Sequence, residues 1–485
     1  MTATAPLASL ADFSDRLSPM VVKELRQGLR TRMFGGVLLV LHLLLILITL
    51  VSGAARDAGE TSWLLDGLST LVLCVILPLR GFSALAEEIK ANTLETLVLT
   101  RLSAARIVFG KWASLALQSL LVALSLMPYV VARYVFGGAD LLGELGFLGL
   151  KWIAGMVIAA GIVCLSTQKQ FWLRAVVVAL VAFGPSVMAI SYIFIRTFSP
   201  SGTSSFAVFG AAFGSLPPGW VLALAVIAGA AWLIFFFLSL AATRIAPAAS
   251  HLAVVKRLVH AGTILILILV AWAATSLTTG LLIAAATVAS MASMDALIET
   301  RNEVPSLLIP FYRRGLAGRV LAWFLTPGWP NGMVYSMAIA CALALAALVM
   351  ANAEAAMRAW MAVAGTWMCA ALVHLICAGR WRDLLAPYIG MSLFLGVLQY
   401  FLMLIATTLA VATDVRWPGV LMPGTVEATL TFAKAKASSA EMEFLRLLGF
   451  GISCLWPLLL ALIAALALHQ TRHVRMEARH LAAES

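Results

Sequence analysis

Charged residues are scarce in this chain: 11% of its 485 residues are Asp, Glu, Lys or Arg, whereas 62% are hydrophobic. A soluble domain carries about 25% charged residues. So few charges cannot cover a water-exposed surface, so lipid must be the solvent for most of the molecule. The composition therefore excludes an ordinary soluble enzyme.

Cysteine is also sparse, and no CxxC pair is present. The six cysteines all fall inside apolar runs, and none lies near a histidine at the spacing of zinc ligands. They are Cys74, Cys164, Cys341, Cys369, Cys377 and Cys454. We interpret them as buried free thiols, and we predict no metal site.

The apolar runs lack the polar–apolar alternation of membrane β-strands, so helices are the predicted spanning elements. A spanning helix needs about 20 apolar residues. Twelve runs meet this requirement and predict an all-α polytopic membrane protein. They are residues 34–52, 63–84, 110–132, 144–166, 172–195, 218–243, 258–276, 279–296, 332–351, 356–378, 384–411 and 445–469. The least certain division is 258–296, where Thr278-Thr279-Gly280 suggests a break and a re-entrant element is the alternative.

Basic residues are distributed between the runs rather than gathered in one patch, which argues against nucleic acid as a partner. If the N-terminus is cytoplasmic, 24 of the 33 Lys and Arg residues fall in cytoplasmic segments. This bias is typical of the positive-inside rule. It predicts a multi-pass protein of the bacterial cytoplasmic (inner) membrane, with both termini cytoplasmic.

Residues 18–34 predict a basic amphipathic helix at the membrane surface. Ser18 is a good N-cap, and Pro19 is favoured at the first helical position. One face of this helix is apolar and the opposite face is basic, as in helices that contact anionic lipid head groups. The apolar face comprises Val21, Val22, Leu25 and Leu29, and the polar face Lys23, Arg26, Gln27 and Arg30.

Residues 85–111 predict two short cytoplasmic helices between the second and third spans. Asn92 and Glu95 have the spacing of a capping box, and Ser103 can cap the helix that leads through Arg106 into the third span. Leu94, Leu97 and Val98 give the first helix an apolar face, which favours docking either of another protein or of the chain's own bundle.

These two segments resemble the permease subunits of ABC-2-type exporters, in which an "NPVLVKELRQ"-like stretch precedes two spans and an "EE…GTLE-L-L-TPLS…I-GK" segment. The matching positions are Ser18-Pro19 to Arg26, Glu87-Glu88, Thr93-Leu94-Glu95, Leu97, Leu99-Thr100, Leu102-Ser103, Ile107 and Gly110-Lys111. The chain departs from the pattern at Asn92, where Gly is usual, and at Arg101, where Pro is usual. The resemblance covers residues 18–243.

The resemblance implies that residues 18–32 form an elbow helix, with Lys23, Glu24, Arg26 and Arg30 among its residues, and that residues 85–111 couple to a separate ABC ATPase. The coupling residues it implies are Glu87, Glu88, Thr93, Leu94, Glu95, Leu97, Ser103 and Arg106. Gly110-Lys111 lacks an upstream glycine-rich loop, so no ATP-binding P-loop is present. The chain is thus expected to be a transport subunit without cofactor or enzymatic site, with ATP and Mg²⁺ bound by two copies of the partner.

The predicted organisation is an elbow segment over residues 1–33, a six-span permease unit over 34–243, and a second six-span bundle over 244–485 with a cytoplasmic tail at 470–485. A short sequence similarity links the two bundles, in which Val254-Val255-Lys256-Arg257-Leu258 resembles Val21-Val22-Lys23-Glu24-Leu25. The second bundle is either a degenerate permease repeat, which would make the chain a pseudo-dimer, or an accessory bundle that leaves a homodimer to form the pore. Residues 297–331 form its candidate ATPase contact.

Three other classes of function remain open from the sequence. An ion-coupled secondary transporter needs titratable groups at membrane depth. Asp and Glu avoid the span centres, and His42 and His374 are expected to be packing residues. A membrane-embedded glycosyl or lipid transferase could use Asp57 and Glu60 as paired carboxylates, although solubility of the loop is the favoured explanation for these residues. A signalling component that couples to an ATPase without moving solute is a third alternative.

Overall fold

The computed structural model describes residues 19–55, 58–90, 103–135, 141–168, 170, 219–247, 249–300, 304–377, 383–412, 422–423, 439–470 and 472–484. In these ranges the chain is helical, with no strand. Eleven helical stretches are long and apolar enough to cross a membrane. They correspond to eleven of the predicted spans, and the remaining one, 172–195, lies outside the described residues. The prediction of an all-helical, multi-pass membrane protein is confirmed at this level.

The chain divides into two compact units, residues 1–194 with 218–246, and residues 195–217 with 247–485. The helices of the first unit are α1 (Pro19–Leu29), α2 (Arg32–Ala55), α3 (Ala58–Thr70), α4 (Ala86–Lys90), α5 (Ala104–Val135), α6 (Leu141–Ser166) and α7 (Gly219–Ile245). Beyond α3 the chain stays helical through a π-helical stretch, Leu71–Ile76, an α turn, Leu77–Leu79, and a 3₁₀ turn, Arg80–Ser83.

The core of the first unit lies between α2, the second span, α5 and α6. Leu45, Leu73 and Val122 are almost completely buried there. The outward face of α2 is apolar as well, since Leu39, Leu43 and Leu50 are each more than 60% exposed. Leucines on both faces of one helix fit a helix that packs on its neighbours and on lipid.

The predicted helix at the N-terminus is present as α1, and it stops before the first span. Thr31 explains part of this break, because its hydroxyl donates to the carbonyl oxygen of Gly28 at 2.8 Å and so competes with the helical hydrogen bonds. The predicted cap at Ser18 lies outside the described residues.

The helices of the second unit are α8 (Leu252–Ala273), α9 (Thr278–Leu297), α10 (Ile309–Tyr312), α11 (Gly315–Leu325), α12 (Trp329–Met350), α13 (Ala353–Cys377), α14 (Leu385–Ala412), α15 (Ser439–Gln470) and α16 (Arg472–Glu484). Helix α13 is central: it packs on α9, α12, α14 and α15. Its Trp367 is fully buried and donates to the Ser336 hydroxyl on α12 at 2.6 Å.

The stretch 258–296 is two helices that pack against each other, joined by a 3₁₀ turn at Thr275–Leu277. The hydroxyl of Thr278 donates to the carbonyl oxygen of Ala271 at 3.0 Å and closes the turn. Helix α8 begins at Leu252, before the predicted start of the span at residue 258. Val254–Leu258 therefore lies in the first turns of this helix, and no break like that at Gly28–Thr31 separates it from the rest of α8.

Close helix packing makes Gly332 a sensitive position. A Cβ atom there would lie 2.1 Å from the carbonyl oxygen of Ala296, which is a backbone atom and cannot rotate away. We expect Gly332→Ala to separate α12 from α9 and to lower the midpoint of thermal unfolding in detergent by several degrees, since overpacking costs about 1–3 kcal/mol. Gly262→Ala is the matched control, because a Cβ at Gly262 meets nothing within 4 Å. An equal loss in both variants would contradict this explanation.

Candidate functional site: buried ion pairs at the helix ends

A buried lysine on α5 links three segments of the first unit. The ammonium of Lys111 lies 3.2 Å from an Oε1 atom of Glu24 on α1 and 2.9 Å from Oε1 of Glu88 on α4. Its side chain is only 5% exposed, and each glutamate is 20% exposed. We call Glu24, Glu88 and Lys111 the Lys111 cluster. Since a buried charge is tolerated only when paired, the cluster fixes α1 and α4 against the start of α5.

Arg80, near the end of the second span, holds the other end of α1. Its guanidinium donates to Gln118 Oε1 on α5 at 2.6 Å and to the Gly28 carbonyl oxygen at 3.1 Å. It also donates to the Thr31 hydroxyl at 3.1 Å and lies over the ring of Phe34. The break between α1 and α2 is therefore anchored to the second and third spans.

The faces of α1 only partly follow the prediction. Val21 is buried, and Met20 packs against Gly110 of α5, but Leu29 at the end of the predicted apolar face is exposed. Among the polar residues, Lys23, Arg26 and Arg30 are exposed, as expected for the polar face of an interfacial helix. Glu24 differs from them, because it is directed towards Lys111.

Only part of the predicted set of coupling residues lies within the described residues. Thr93, Leu94, Glu95 and Leu97 lie outside the described residues, as does the side chain of Glu87. Ser103 precedes α5 and accepts the amide of Arg106 at 3.4 Å through its hydroxyl, a long contact for a cap; both residues are exposed. Glu88, which the resemblance places at the ATPase, is bonded to Lys111 instead of extending outwards.

The second unit contains a more deeply buried charge network. Its four members, which we call the Glu299 network, are Lys256, Arg257, Asp295 and Glu299. Lys256 Nζ lies 2.8 Å from Asp295 Oδ1 and 3.2 Å from Glu299 Oε1, and Arg257 Nη2 lies 2.6 Å from Glu299 Oε2. Lys256 and Arg257 are each 1% exposed. The start of α8 is thus bound to the end of α9.

The same network reaches the turn between α11 and α12. Arg257 donates to the carbonyl oxygen of Phe324 at 2.7 Å, and the amide of Gly328 donates to Glu299 Oε2 at 2.9 Å. Gly328 has φ of 114°, a conformation that other residues rarely adopt, so the turn that presents this amide requires glycine. Tyr335 on α12 adds a hydrogen bond of 2.7 Å from its hydroxyl to the Arg257 carbonyl oxygen.

Glu299 lies just beyond the end of α9, and its environment favours the charged carboxylate. Burial alone would raise its pKa, but Arg257, Lys256 and the Gly328 amide outweigh burial and hold the pKa below its ordinary value of 4.5. The carboxylate is therefore ionised at neutral pH and pairs with two buried cations, while Asp295 supplies the second negative charge of the network.

Three histidines within the long apolar helices make contacts of two kinds: His42 and His374 are packing residues, and His260 lies beside the Glu299 network. His42 Nδ1 lies 2.9 Å from the Tyr129 hydroxyl, and His374 Nε2 lies 3.1 Å from the Leu297 carbonyl oxygen. Both are also stacked on aromatic rings, as expected for packing histidines. His260, which the sequence analysis did not single out, is buried on α8 with Nε2 3.9 Å from Asp295 Oδ2.

Sequence reasoning also missed Lys111, Asp295 and Glu299 as partners of other charges, and Arg80 as an anchor of α1. For the three ion-pair partners a signal was available, since each lies at the end of an apolar run and near residues of opposite charge in neighbouring segments. Assigning the pairs required the packing of the helices. Among the described residues, no group of three or more His, Cys, Asp or Glu side chains is placed to hold a metal ion.

Comparison with known proteins adds no relative: no family model matches the chain, and no curated protein matches it.

Replacing Lys111 tests the cluster in the first unit. Lys111→Met leaves Glu24 and Glu88 close together without their cation, and we expect a loss of about 2–3 kcal/mol in stability, measured as a lower unfolding midpoint in detergent. The triple variant Lys111→Met, Glu24→Gln and Glu88→Gln should recover part of the lost stability, because its two neutral amides no longer repel each other. The control is Lys23→Met, at an exposed position of α1. If Lys23→Met and Lys111→Met were equally stable, the cluster would have no structural role.

Acidification tests the Glu299 network. Because the pKa of Glu299 is lower in the folded protein than its ordinary value of 4.5, its ion pairs contribute fully above about pH 4.5, and this contribution is lost as the pH falls through the folded pKa. We expect the wild type to be more stable than Glu299→Gln at pH 7 and this difference to shrink below pH 4.5, as measured by thermal unfolding across pH. The exposed substitution Glu477→Gln is the control. A difference that does not change with pH would contradict the assignment.

Proposed function

We propose that this chain is the membrane-spanning permease subunit of an ATP-driven exporter of the ABC-2 type, working with a separate ATPase. The observation that carries the proposal is the Lys111 cluster. Residues 91–102, which hold four of the eight implied coupling residues, are flanked by Glu88 on one side and by Lys111 on the other. Glu88 and Lys111 are bonded to each other, and Lys111 is also bonded to Glu24 on α1.

This arrangement suits the transmission of force. A displacement of residues 91–102 by a partner would pull on α4 and α5, and Lys111 would pass it to Glu24 on α1. Arg80 connects α1 in turn to the second span. Buried ion pairs resist separation because each charge left alone would lie in a poorly solvating environment. The three segments would therefore move together, as a coupling device requires.

We further propose that the second unit is a degenerate permease repeat. When Val254–Leu258 is aligned with Val21–Leu25, Arg257 takes the position of Glu24. Glu24 pairs with Lys111 near the start of α5, the third span of its unit, and Arg257 pairs with Glu299 just after α9, the second span of its unit. In the first unit Lys111 joins the partners; in the second, Glu299 does, with the charges reversed. Helices α10 and α11 would then correspond to the coupling region, and one chain would supply both halves of the pathway in the cytoplasmic membrane.

An ion-coupled secondary transporter is the second candidate, favoured by one observation. His260, Asp295 and Lys256 form a buried titratable group within the second unit, and such groups at membrane depth commonly serve proton or ion pathways. The two candidates differ in their energy source, so they can be separated directly.

Purification from the native host tests the proposal. We expect the detergent-solubilised chain to retain a protein with a P-loop in fixed stoichiometry, and the complex to hydrolyse ATP. Glu95→Lys should abolish both, because it reverses a charge in the implied coupling helix. Glu95 is a better choice than Glu88, whose loss would also disrupt the Lys111 cluster. The double variant Asp57→Asn with Glu60→Gln is the control and should retain both.

Three results would decide against the proposal. The first is a folded chain that carries no nucleotide-binding protein and no ATPase activity. The second is retention of the partner by Glu95→Lys. The third is loss of function in the Asp57 and Glu60 variant, which would favour the transferase. Uptake or efflux in vesicles that follows a proton gradient without ATP, and that is lost in His260→Gln, would favour the secondary transporter.

A further inference from the structure

Helix α11 of the second unit has apolar residues on two opposite sides. Gly318 and Ala322 are buried on one side. Leu316, Val320 and Trp323 follow each other at spacings of four and three residues on the other side, and they are 78%, 57% and 40% exposed. We call these three residues the α11 face. With 11 residues the helix is about 16 Å long, roughly half of the hydrocarbon thickness, so it cannot cross a membrane.

Helix α16 packs against a different side of α11. Ala322 of α11 belongs to one buried apolar cluster with Val474 and Ala478 of α16. At the edge of this contact the guanidinium of Arg475 lies 4.0 Å from the centroid of the Trp323 ring. The C-terminal helix therefore supports α11 from its buried side and leaves most of the α11 face uncovered.

The α11 helix lies at the end of the second unit where α8 begins and α9 ends. Arg257, in the first turns of α8, donates to the carbonyl oxygen of Phe324 on α11. The amide of Gly328, just after α11, donates to Glu299, just beyond α9. Because the ends of spanning helices lie near the membrane boundary, α11 lies at the level of the head groups and not at the centre of the bilayer.

The charge around the α11 face has one sign. Residues 304–353 contain no Asp or Glu and three basic residues, which are exposed. They are Arg313, Arg314 and Arg319. Arg319 comes three residues after Leu316 and four before Trp323, so it borders the α11 face. Helices that lie in a membrane surface combine Leu and Trp on one face with Arg beside it, and the Arg residues attract anionic head groups.

We propose that α11 lies in the plane of the membrane surface at this end of the unit and binds anionic phospholipids. The α11 face enters the boundary between head groups and acyl chains, while Arg314 and Arg319 contact lipid phosphates. Helix α16 then covers the side of α11 that is turned away from the lipid. The inference does not rest on the proposed ATPase coupling: α11 corresponds to the coupling region by its place along the chain, whereas lipid and not an ATPase covers its apolar face.

The depth of α11 is tested on the purified full chain in nanodiscs of phosphatidylcholine and phosphatidylglycerol. A coumarin-bearing amino acid in place of Leu316 reports on the α11 face, and one in place of Val320 repeats the measurement one turn further on. The control carries the fluorophore at Met476, which is exposed and two positions from both Val474 and Ala478, so it lies on the opposite side of α16.

We expect lipids with a nitroxide near the head of the acyl chain to quench the fluorophore at positions 316 and 320, and iodide in the water to quench it weakly. At position 476 the two quenchers should have the reverse effect. Leu316 and Val320 are exposed, so their replacement removes no internal packing.

Moving the nitroxide between the two lipids tests the charge. At equal low mole fraction, labelled phosphatidylglycerol should quench the fluorophore at position 316 more strongly than labelled phosphatidylcholine, with an enrichment of roughly fivefold for each arginine that contacts a phosphate. The double variant Arg314→Gln with Arg319→Gln should remove this preference, and Arg314→Lys with Arg319→Lys should keep most of it. The control is Arg472→Gln, an exposed position two residues before the buried Val474.

Three results overturn the proposal. Quenching at position 316 by iodide and not by labelled lipid would show that the α11 face is open to water in the isolated chain and available to a protein. Equal quenching by the two labelled lipids would remove the role of the arginines. A loss of the preference in Arg472→Gln as large as in the double variant would show that the net charge of the chain, and not α11, selects the lipid.

Discussion

The pairing of charges that cannot reach water governs the arrangement of helices in both units. An unpaired cation or carboxylate in such surroundings raises the free energy of the folded protein by several kcal/mol. Removing one member of a buried pair is therefore destabilising, because the other member is left without a partner. Lys111 satisfies this constraint with two carboxylates, and Glu299 satisfies it with two cations. In each unit this pairing fixes three segments of the chain relative to one another. Apolar packing alone would leave these segments free to slide.

The spans were predictable because length and hydropathy decide them almost alone. In the described residues the helices lie where the apolar runs predicted, and even the uncertain stretch 258–296 resolves into two helices. Boundaries were less predictable. The sequence VVKRL reads like an elbow, yet it continues into α8, because the helix break depends on local hydrogen bonds such as that of Thr31 and not on amphipathicity.

The candidate sites were predictable only in part, for a physical reason. Sequence patterns show which residues are charged, whereas function here depends on which charges meet. Glu24 and Lys23 are adjacent in sequence, but the helix geometry of α1 turns one towards Lys111 and the other towards the surroundings.

The π-helical stretch Leu71–Ile76 sets the angular position of everything after it in the second span. A wide turn accommodates an extra residue, so the helix beyond it is rotated by about 100° relative to an uninterrupted α-helix. Arg80 lies just past this stretch and faces Gly28 and Gln118 only in that orientation. If the wide turn migrated past Arg80, this side chain would rotate by about 100° away from α1 without any change in the length of the helix. The second span can therefore reorient the side chains that the wide turn passes while its two ends keep their positions.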